Sequence, residues 1–287
     1  MAPVSPAVAR WELMLRISSR AEERGERTSA IARAIDVSPQ YWSKLVKGRG
    51  VLTEQKLTAL VQLLEFDPDE HRELSELREV AKGHGPFAEY SALFNEQLMR
   101  FYGLEAGAQS VRSFESTVIP GLLQTEDYIR ALMKAQVTTA RPTEVEQRVS
   151  ARLQRQLRLE DPEPLELSVV IGQAALMYRV GDHGIRRKQL EHLIAMAEGH
   201  PDTLDIRIVP FEAGAAIASL NSATFHLLNF ASARLPQLGW VEGAAYFEVA
   251  DDRKWVTTLD YLFNQIQVDA LDRDRSLSLI KEIACES

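Results

Sequence analysis

TSAIARAIDVSPQYWSKLVKGR, residues 28–49, reads as two short helices joined by a tight turn. Thr28 or Ser29 is placed to cap the first helix, because a side-chain oxygen there meets an orphan amide. Ile31, Ala32 and Ile35 give that helix an apolar stripe. Asp36 follows, a residue that tolerates turn and left-handed conformations. Ser38 caps the second helix, and Pro39 takes its first position, where a missing N–H costs nothing. At ~100° per residue, Trp42, Leu45 and Val46 fall on one side of that helix, and Gln40, Ser43, Lys44 and Lys47 on the other. An apolar anchor backed by an amide, a hydroxyl and two cations is the chemistry that reads a DNA major groove. The plain alternative is a helical hairpin with a solvated basic face.

Working outward, residues 7–24 form an amphipathic pattern through Val8, Trp11, Leu15 and Ser18, ended by Gly25. KGRG, residues 47–50, supplies a glycine helix end and amides that can approach a phosphate. Thr53 starts a helix with Leu57, Leu60, Val61 and Leu64 on one face, and Asp67-Pro68 starts another over 68–82. The spacing Ala32, Val37, Trp42, Leu45, Gly48, inside five short helices, resembles the Cro/CI-type (XRE) helix-turn-helix. That resemblance implies double-stranded operator DNA as partner. Its contacts would fall at Thr28, Ser38, Gln40, Tyr41, Ser43, Lys44, Lys47 and Arg49. Gln40, Ser43 and Lys44 would meet bases, and Lys47 and Arg49 phosphates. Thr28 stands where the family often has Gln, and Asp36 where it usually has Gly.

The whole chain narrows the class. Of 287 residues, 45% are apolar and 26% charged, the balance of a soluble globular protein. No run approaches the ~20 apolar residues of a membrane span. Arg10, Glu12 and Arg16 interrupt the N-terminal apolar positions, so no signal peptide is expected. A single cysteine, Cys285, excludes an intrachain disulfide and a cysteine-built zinc site. A cytoplasmic location follows as the simplest expectation. The net charge of −8 is unevenly spread. Residues 1–82 hold 13 Lys/Arg and 13 Asp/Glu, whereas residues 83–287 hold 20 and 28. Residues 27–49 place Arg27, Arg33, Lys44, Lys47 and Arg49 against Asp36 alone. A small cationic patch on an acidic chain implies confined, salt-sensitive DNA binding.

Gly83-His84-Gly85-Pro86 is a breaker at which the charge balance changes, dividing the chain into domains 1–82 and 87–287. Residues 87–160 read as helical. Phe87, Tyr90, Leu93 and Phe94 open the segment, and a helix near 104–115 carries Glu105, Val111 and Phe114. Pro120-Gly121 is a turn, and Thr125 caps a helix that turns Tyr128, Leu132 and Met133 inward. Residues 143–159 form a helix with Val145, Val149, Leu153 and Leu157 on one stripe. Its Arg148, Arg152, Arg155 and Arg158 read as a solvated cationic face, with a partner surface as the sharper alternative. Beyond Pro162, residues 165–171, 205–211, 223–230 and 238–249 read as strands, the last with a kink or hairpin at Gly243. Residues 184–198, 251–269 and 272–284 read as helices. A strand–helix–strand crossover predicts a parallel pair, and the later strands predict hairpins. The expected fold class is α+β, mostly α. A five-helix helix-turn-helix domain precedes a domain of helices around a small mixed sheet.

FESTVIPGLLQTEDYIRALM (114–133), VEQRVSARLQRQ (145–156), VVIGQAALMYRVG (169–181), RIVPFEAGA (207–215), FHLLNF (225–230) and YFEVADD (246–252) occur in order. They resemble the domain that follows the helix-turn-helix in actinobacterial WhiJ-type developmental regulators; Asn221-Ser222-Ala223 lacks the glycine usual before the third strand. The resemblance implies a cytoplasmic transcription factor, in an antitoxin-like or anti-repressor pairing with a small protein encoded nearby. A small ligand in an apolar pocket is the alternative. Phe114, Glu115, Pro120, Gln124, Tyr128 and Arg152 are the residues singled out for partner or ligand. Glu115 reads either as a buried functional carboxylate or as an ion pair with a helix arginine. A homodimer on an inverted repeat is expected, since one helix-turn-helix reads few base pairs.

No phosphate-binding glycine loop, nucleophile elbow or HExxH motif occurs, and the six histidines fall at no metal-ligand spacing. His183 and His192 flank an expected helix start and could meet by folding. No enzyme activity, cofactor or metal is expected; a DNA-targeted enzyme with its activity in residues 87–284 is the remote alternative.

Overall fold

The computed structural model describes residues 5–135, 141–213, 224–243 and 246–286. The chain divides into two compact units, residues 3–88 and residues 89–287. Among the described residues no helix is long and apolar enough to cross a membrane.

The first unit is five helices: α1 (Pro6–Glu23), α2 (Thr28–Ala34), α3 (Pro39–Val46), α4 (Glu54–Leu63) and α5 (Pro68–Ala81). Local chemistry sets most of the boundaries. Ser5, Ser38 and Thr53 each accept from the backbone N–H three residues on, capping α1, α3 and α4. Asp67 and Glu70 form a reciprocal capping box on α5. The expected side-chain cap on α2 is absent. Arg27 is its N-cap, with no side-chain hydrogen bond, and Thr28 is already helical. Asp36 adopts φ 50°, as its residue type permits. Leu13, Met14, Ile17, Ile31, Ala32, Trp42, Leu45, Leu57, Leu60, Leu64 and Leu74 form one core. Arg10 donates to the carbonyls of Ala81 and Gly83, satisfying the end of α5.

The second unit runs α6 (Glu96–Glu105), β1 (Ser110–Glu115), α7 (Glu126–Ala135), α8 (Val145–Gln156), β2 (Glu166–Gly172) and α9 (Gln173–Met177). It continues α10 (His183–Gly199), β3 (Leu204–Val209), β4 (Thr224–Asn229), β5 (Leu238–Glu242), β6 (Phe247–Ala250), α11 (Arg253–Asp269) and α12 (Arg273–Cys285). The strands form one mixed sheet in the order β3-β2-β1-β4-β5-β6. β3, β2 and β1 are parallel; β4, β5 and β6 follow antiparallel. The expected parallel crossover and hairpins are present, with β2–α10–β3 as one crossover and β5–β6 as the hairpin around Gly243.

The expected helix over 104–115 is corrected. Only Leu104 and Glu105 belong to a helix, the end of α6, and residues 110–115 are β1, which pairs with both β2 and β4. Val111 and Phe114 are three apart, which mimics helical spacing, but every second residue from Val111 to Glu115 is buried against one face. His183 and His192 do not meet, since both lie along α10. The Ala223 start of the third expected strand, the Asn221-Ser222-Ala223 departure and Gly214-Ala215 fall outside the described residues.

One sheet face carries Phe114, Val170, Phe225 and Leu227, packed on Val256, Phe263 and Ile266 of α11. Gly239 permits this approach, since a Cβ there would stand 2.7 Å from Leu259 Cδ1. The exposed edge of β3 is covered. Ser276 of α12 accepts from Ile208 N at 3.0 Å, and Leu271 N donates to Ile208 O at 2.8 Å. The opposite sheet face lies against α6, where Phe101 stacks on Trp240 at 4.5 Å between centroids.

Candidate functional site

In the first unit α2 and α3 form the two-helix motif that the spacing predicts. Ala32 is buried in α2, and Trp42 and Leu45 of α3 anchor that helix in the core. Val46 departs from its expected side of the wheel, at 38% exposed. Gln40, Ser43, Lys44 and Lys47 are exposed together, as are Thr28, Ser38, Tyr41 and Arg49. Ser38 is occupied by Tyr41 N at 3.1 Å, so its hydroxyl serves the helix end as well as facing outward. Tyr41 carries Lys56 Nζ at 5.3 Å from its ring. Gly48, at φ 72°, closes α3. Its N–H bonds Leu45 O, and Arg49 N bonds Lys44 O at 2.8 Å, a Schellman end that turns Lys47 and Arg49 off the helix axis. The result is an exposed face with an amide, a hydroxyl and a cation along one helix, and two further cations at its end.

The residues singled out in the second unit occupy a different setting. Phe114, Glu115, Pro120, Gln124 and Tyr128 are buried, and Arg152 is half-buried. Phe114 belongs to the apolar face beneath α11. Pro120 lies in the irregular segment after β1, and Glu115, Gln124, Tyr128 and Arg152 belong to a polar layer on the opposite face. Gln124 donates to Ile119 O at 2.6 Å and accepts from Arg152 Nη1 at 2.7 Å. Gln156 donates to the carbonyls of Gly121 and Gln124, and Gln189 to that of Leu123. Ile119 N donates to Tyr128 Oη at 3.4 Å. The glutamine side chains thereby satisfy the backbone of the irregular segment after β1, which has no ladder of its own.

The arginines of α8 correct a second expectation: they do not form a solvated row. Arg155 and Arg158 are buried, and Arg148 lies over Phe94 while donating to Leu93 O at 2.7 Å. Leu157, expected inside, is 62% exposed. Arg155 pairs bidentately with Glu105 at 2.7 and 2.8 Å and sits over Tyr102. Burial works against its charge, but Glu105 outweighs that and raises the guanidinium above its ordinary range. Among the described residues Arg152 has no such partner, and burial lowers it.

The ion pair considered for Glu115 is also corrected, because Glu105 takes the helix arginine. Glu115 accepts from Thr224 Oγ1 at 2.9 Å and lies 3.7 Å from His226 Nε2. Burial pushes its carboxyl up to about 8, against the Thr224 hydrogen bond, while exposed Glu242 adds to the rise. Burial, with Arg155 adding to it, pushes His226 down to about 3. At neutral pH both are uncharged, so their contact is not a salt bridge. Sequence reasoning missed Ser113, His226 and Trp240, which lie abreast on β1, β4 and β5. No local signal marked them: in SVRSFE apolar Val111 and Phe114 stand three apart, and only pairing with β2 and β4 turns Ser113 and Glu115 inward.

A family model described as a helix-turn-helix domain matches residues 14–74, and one described as a domain of unknown function (DUF5753) matches residues 98–282. No curated protein and no solved structure matches the chain.

Proposed function

The chain belongs to the family described as domain of unknown function DUF5753, preceded by a helix-turn-helix domain, and on that premise we propose how this DNA-binding transcription regulator works. It reads a short inverted repeat as a cytoplasmic homodimer, without enzymatic activity. α3 enters the major groove, Gln40, Ser43 and Lys44 touch base edges, and Lys47 and Arg49 hold phosphates. The observation that carries this reading is the exposed polar face of α3 with its cationic end. The test is binding to duplexes selected from a random pool, across salt concentrations. Lys47→Ala is expected to weaken all sequences alike and to lower the salt slope by about two, one for each copy in the dimer. Gln40→Ala with Lys44→Ala is expected to relax sequence preference. Unchanged preference in that double variant would move the reading face elsewhere.

The second domain controls this binding. Burial of Glu115, Gln124 and Tyr128 favours a small molecule as its effector, since a protein surface does not reach them. A small protein partner encoded nearby, the WhiJ-type and antitoxin-like arrangement, is the second reading. It is favoured by Tyr261 and Val268, 62% and 79% exposed along one side of α11. Co-purification of the neighbouring gene's product with the full chain, lost on Tyr261→Glu, would support the partner.

A further inference from the structure

The sheet face opposite α11 is polar where interiors are ordinarily apolar. Register places Ser113, His226 and Trp240 in one row across β1, β4 and β5, and Glu115, Thr224 and Glu242 in the next row on the same face. α6 covers this face through Phe101, which contacts both Trp240 and His226. α8 adds Arg155, held by Glu105, and Arg152, whose charge acts on Glu115.

Three atoms of this layer are shut from solvent and have no hydrogen-bond partner among the described residues: Ser113 Oγ, Trp240 Nε1 and Arg152 Nε. Ser113 and Trp240 are each 1% exposed. A buried polar group left unmet costs about 1–3 kcal/mol, and native interiors hold few of them. An indole N–H and a guanidinium N–H can only donate, so the absent partner is an acceptor. Charge points the same way. Arg152 Nη1 donates to the neutral amide of Gln124, and among the described residues no carboxylate forms an ion pair with this guanidinium; Glu242 acts on it only from the rim. Glu105 is used by Arg155, Glu115 and His226 are uncharged at neutral pH, and Glu242 stands exposed at the rim. Water would satisfy the hydrogen bonds but add no negative charge beside Arg152, on which the rim carboxylate of Glu242 acts without an ion pair.

We propose that the layer between the β1-β4-β5 face and helices α6 and α8 is a binding site for a small organic carboxylate. Its oxygens accept from Arg152 Nε, Trp240 Nε1 and Ser113 Oγ and balance the charge of Arg152. This rests on the reading of the second domain as an effector domain and names the effector's class.

The test uses the full chain labelled with 15N-tryptophan, titrated with acetate and with benzoate at constant ionic strength. Trp240→Phe identifies the Trp240 indole resonance. At least one carboxylate is expected to move it saturably, leaving those of Trp11, Trp42 and Trp255 in place. Arg152→Gln is expected to weaken the binding at least tenfold. If that variant does not fold, Ser113→Ala, which keeps the charge, is expected to weaken it severalfold. Inorganic phosphate is the comparison: an equal shift with phosphate overturns the carboxylate class. Absence of any Trp240 shift with both carboxylates overturns the site. DNA binding measured without carboxylate is a separate readout, so failure of the site and failure of the regulator reading are distinguishable.

Discussion

At the scale of single residues, Glu115 and His226 titrate in opposite directions from their ordinary values, and both shifts come first from burial. A raised carboxyl makes the folded chain hold a proton that the unfolded chain has released. Stability from Glu115 is therefore complete below about 4.5 and lost as pH rises towards about 8. His226 acts oppositely, since its lowered value makes the folded chain bind fewer protons between about 3 and 6.5. The two effects offset each other between about 4.5 and 6.5, leaving Glu115 alone above that window. Stability by urea denaturation is expected to fall from pH 6.5 to 8 by about 2 kcal/mol more in the wild type than in Glu115→Gln. Parallel pH profiles for the two proteins would remove the buried neutral carboxyl from the account.

At the scale of elements, α6 and α8 are joined by the Glu105–Arg155 pair, in which both side chains are buried. Glu105→Gln strands the guanidinium, at an expected cost of about 3–5 kcal/mol in urea denaturation. Glu105→Leu with Arg155→Met is expected to recover most of that loss, because removing both charges removes the stranded one. This pair also shows why α8 was hard to read. A helix wheel sorts residues by hydropathy, and Arg155 counts there as a solvent residue. Its burial depends on a carboxylate 50 residues away, which no local pattern reveals. The first unit was far more legible, because Ser38, Gly48, Thr53 and Asp67 fix its helices through bonds within a few residues. β1 was illegible for the converse reason: its six residues are a strand through partners on β2 and β4, not through their own propensity. The exposed polar face of α3 followed from sequence alone, whereas Trp240 and Ser113 share a row, with His226 between them, only through register.

At the scale of the molecule, each unit has a core of its own, one centred on Leu13, Trp42 and Leu60 and another on Phe114, Phe225 and Phe263. Residues 5–88 expressed alone are expected to stay helical and to unfold in one cooperative urea transition, read by circular dichroism. A featureless, non-cooperative loss of signal would show that this core needs the rest of the chain. If the remainder pairs two copies, the fragment is expected to bind the selected duplex at least a hundredfold more weakly than the full chain, by loss of effective concentration.

The central position of β1 has a temporal consequence. Its antiparallel neighbour begins far downstream, and Ser110 meets Asn229 across 119 residues. During synthesis at about 5–20 residues per second, β1 waits roughly ten seconds for that strand. The five helices ahead of it close on local contacts well before then. Each newly made chain thus completes its helix-turn-helix unit before the sheet of the second unit can close, so for those seconds a nascent molecule carries the first unit without the second.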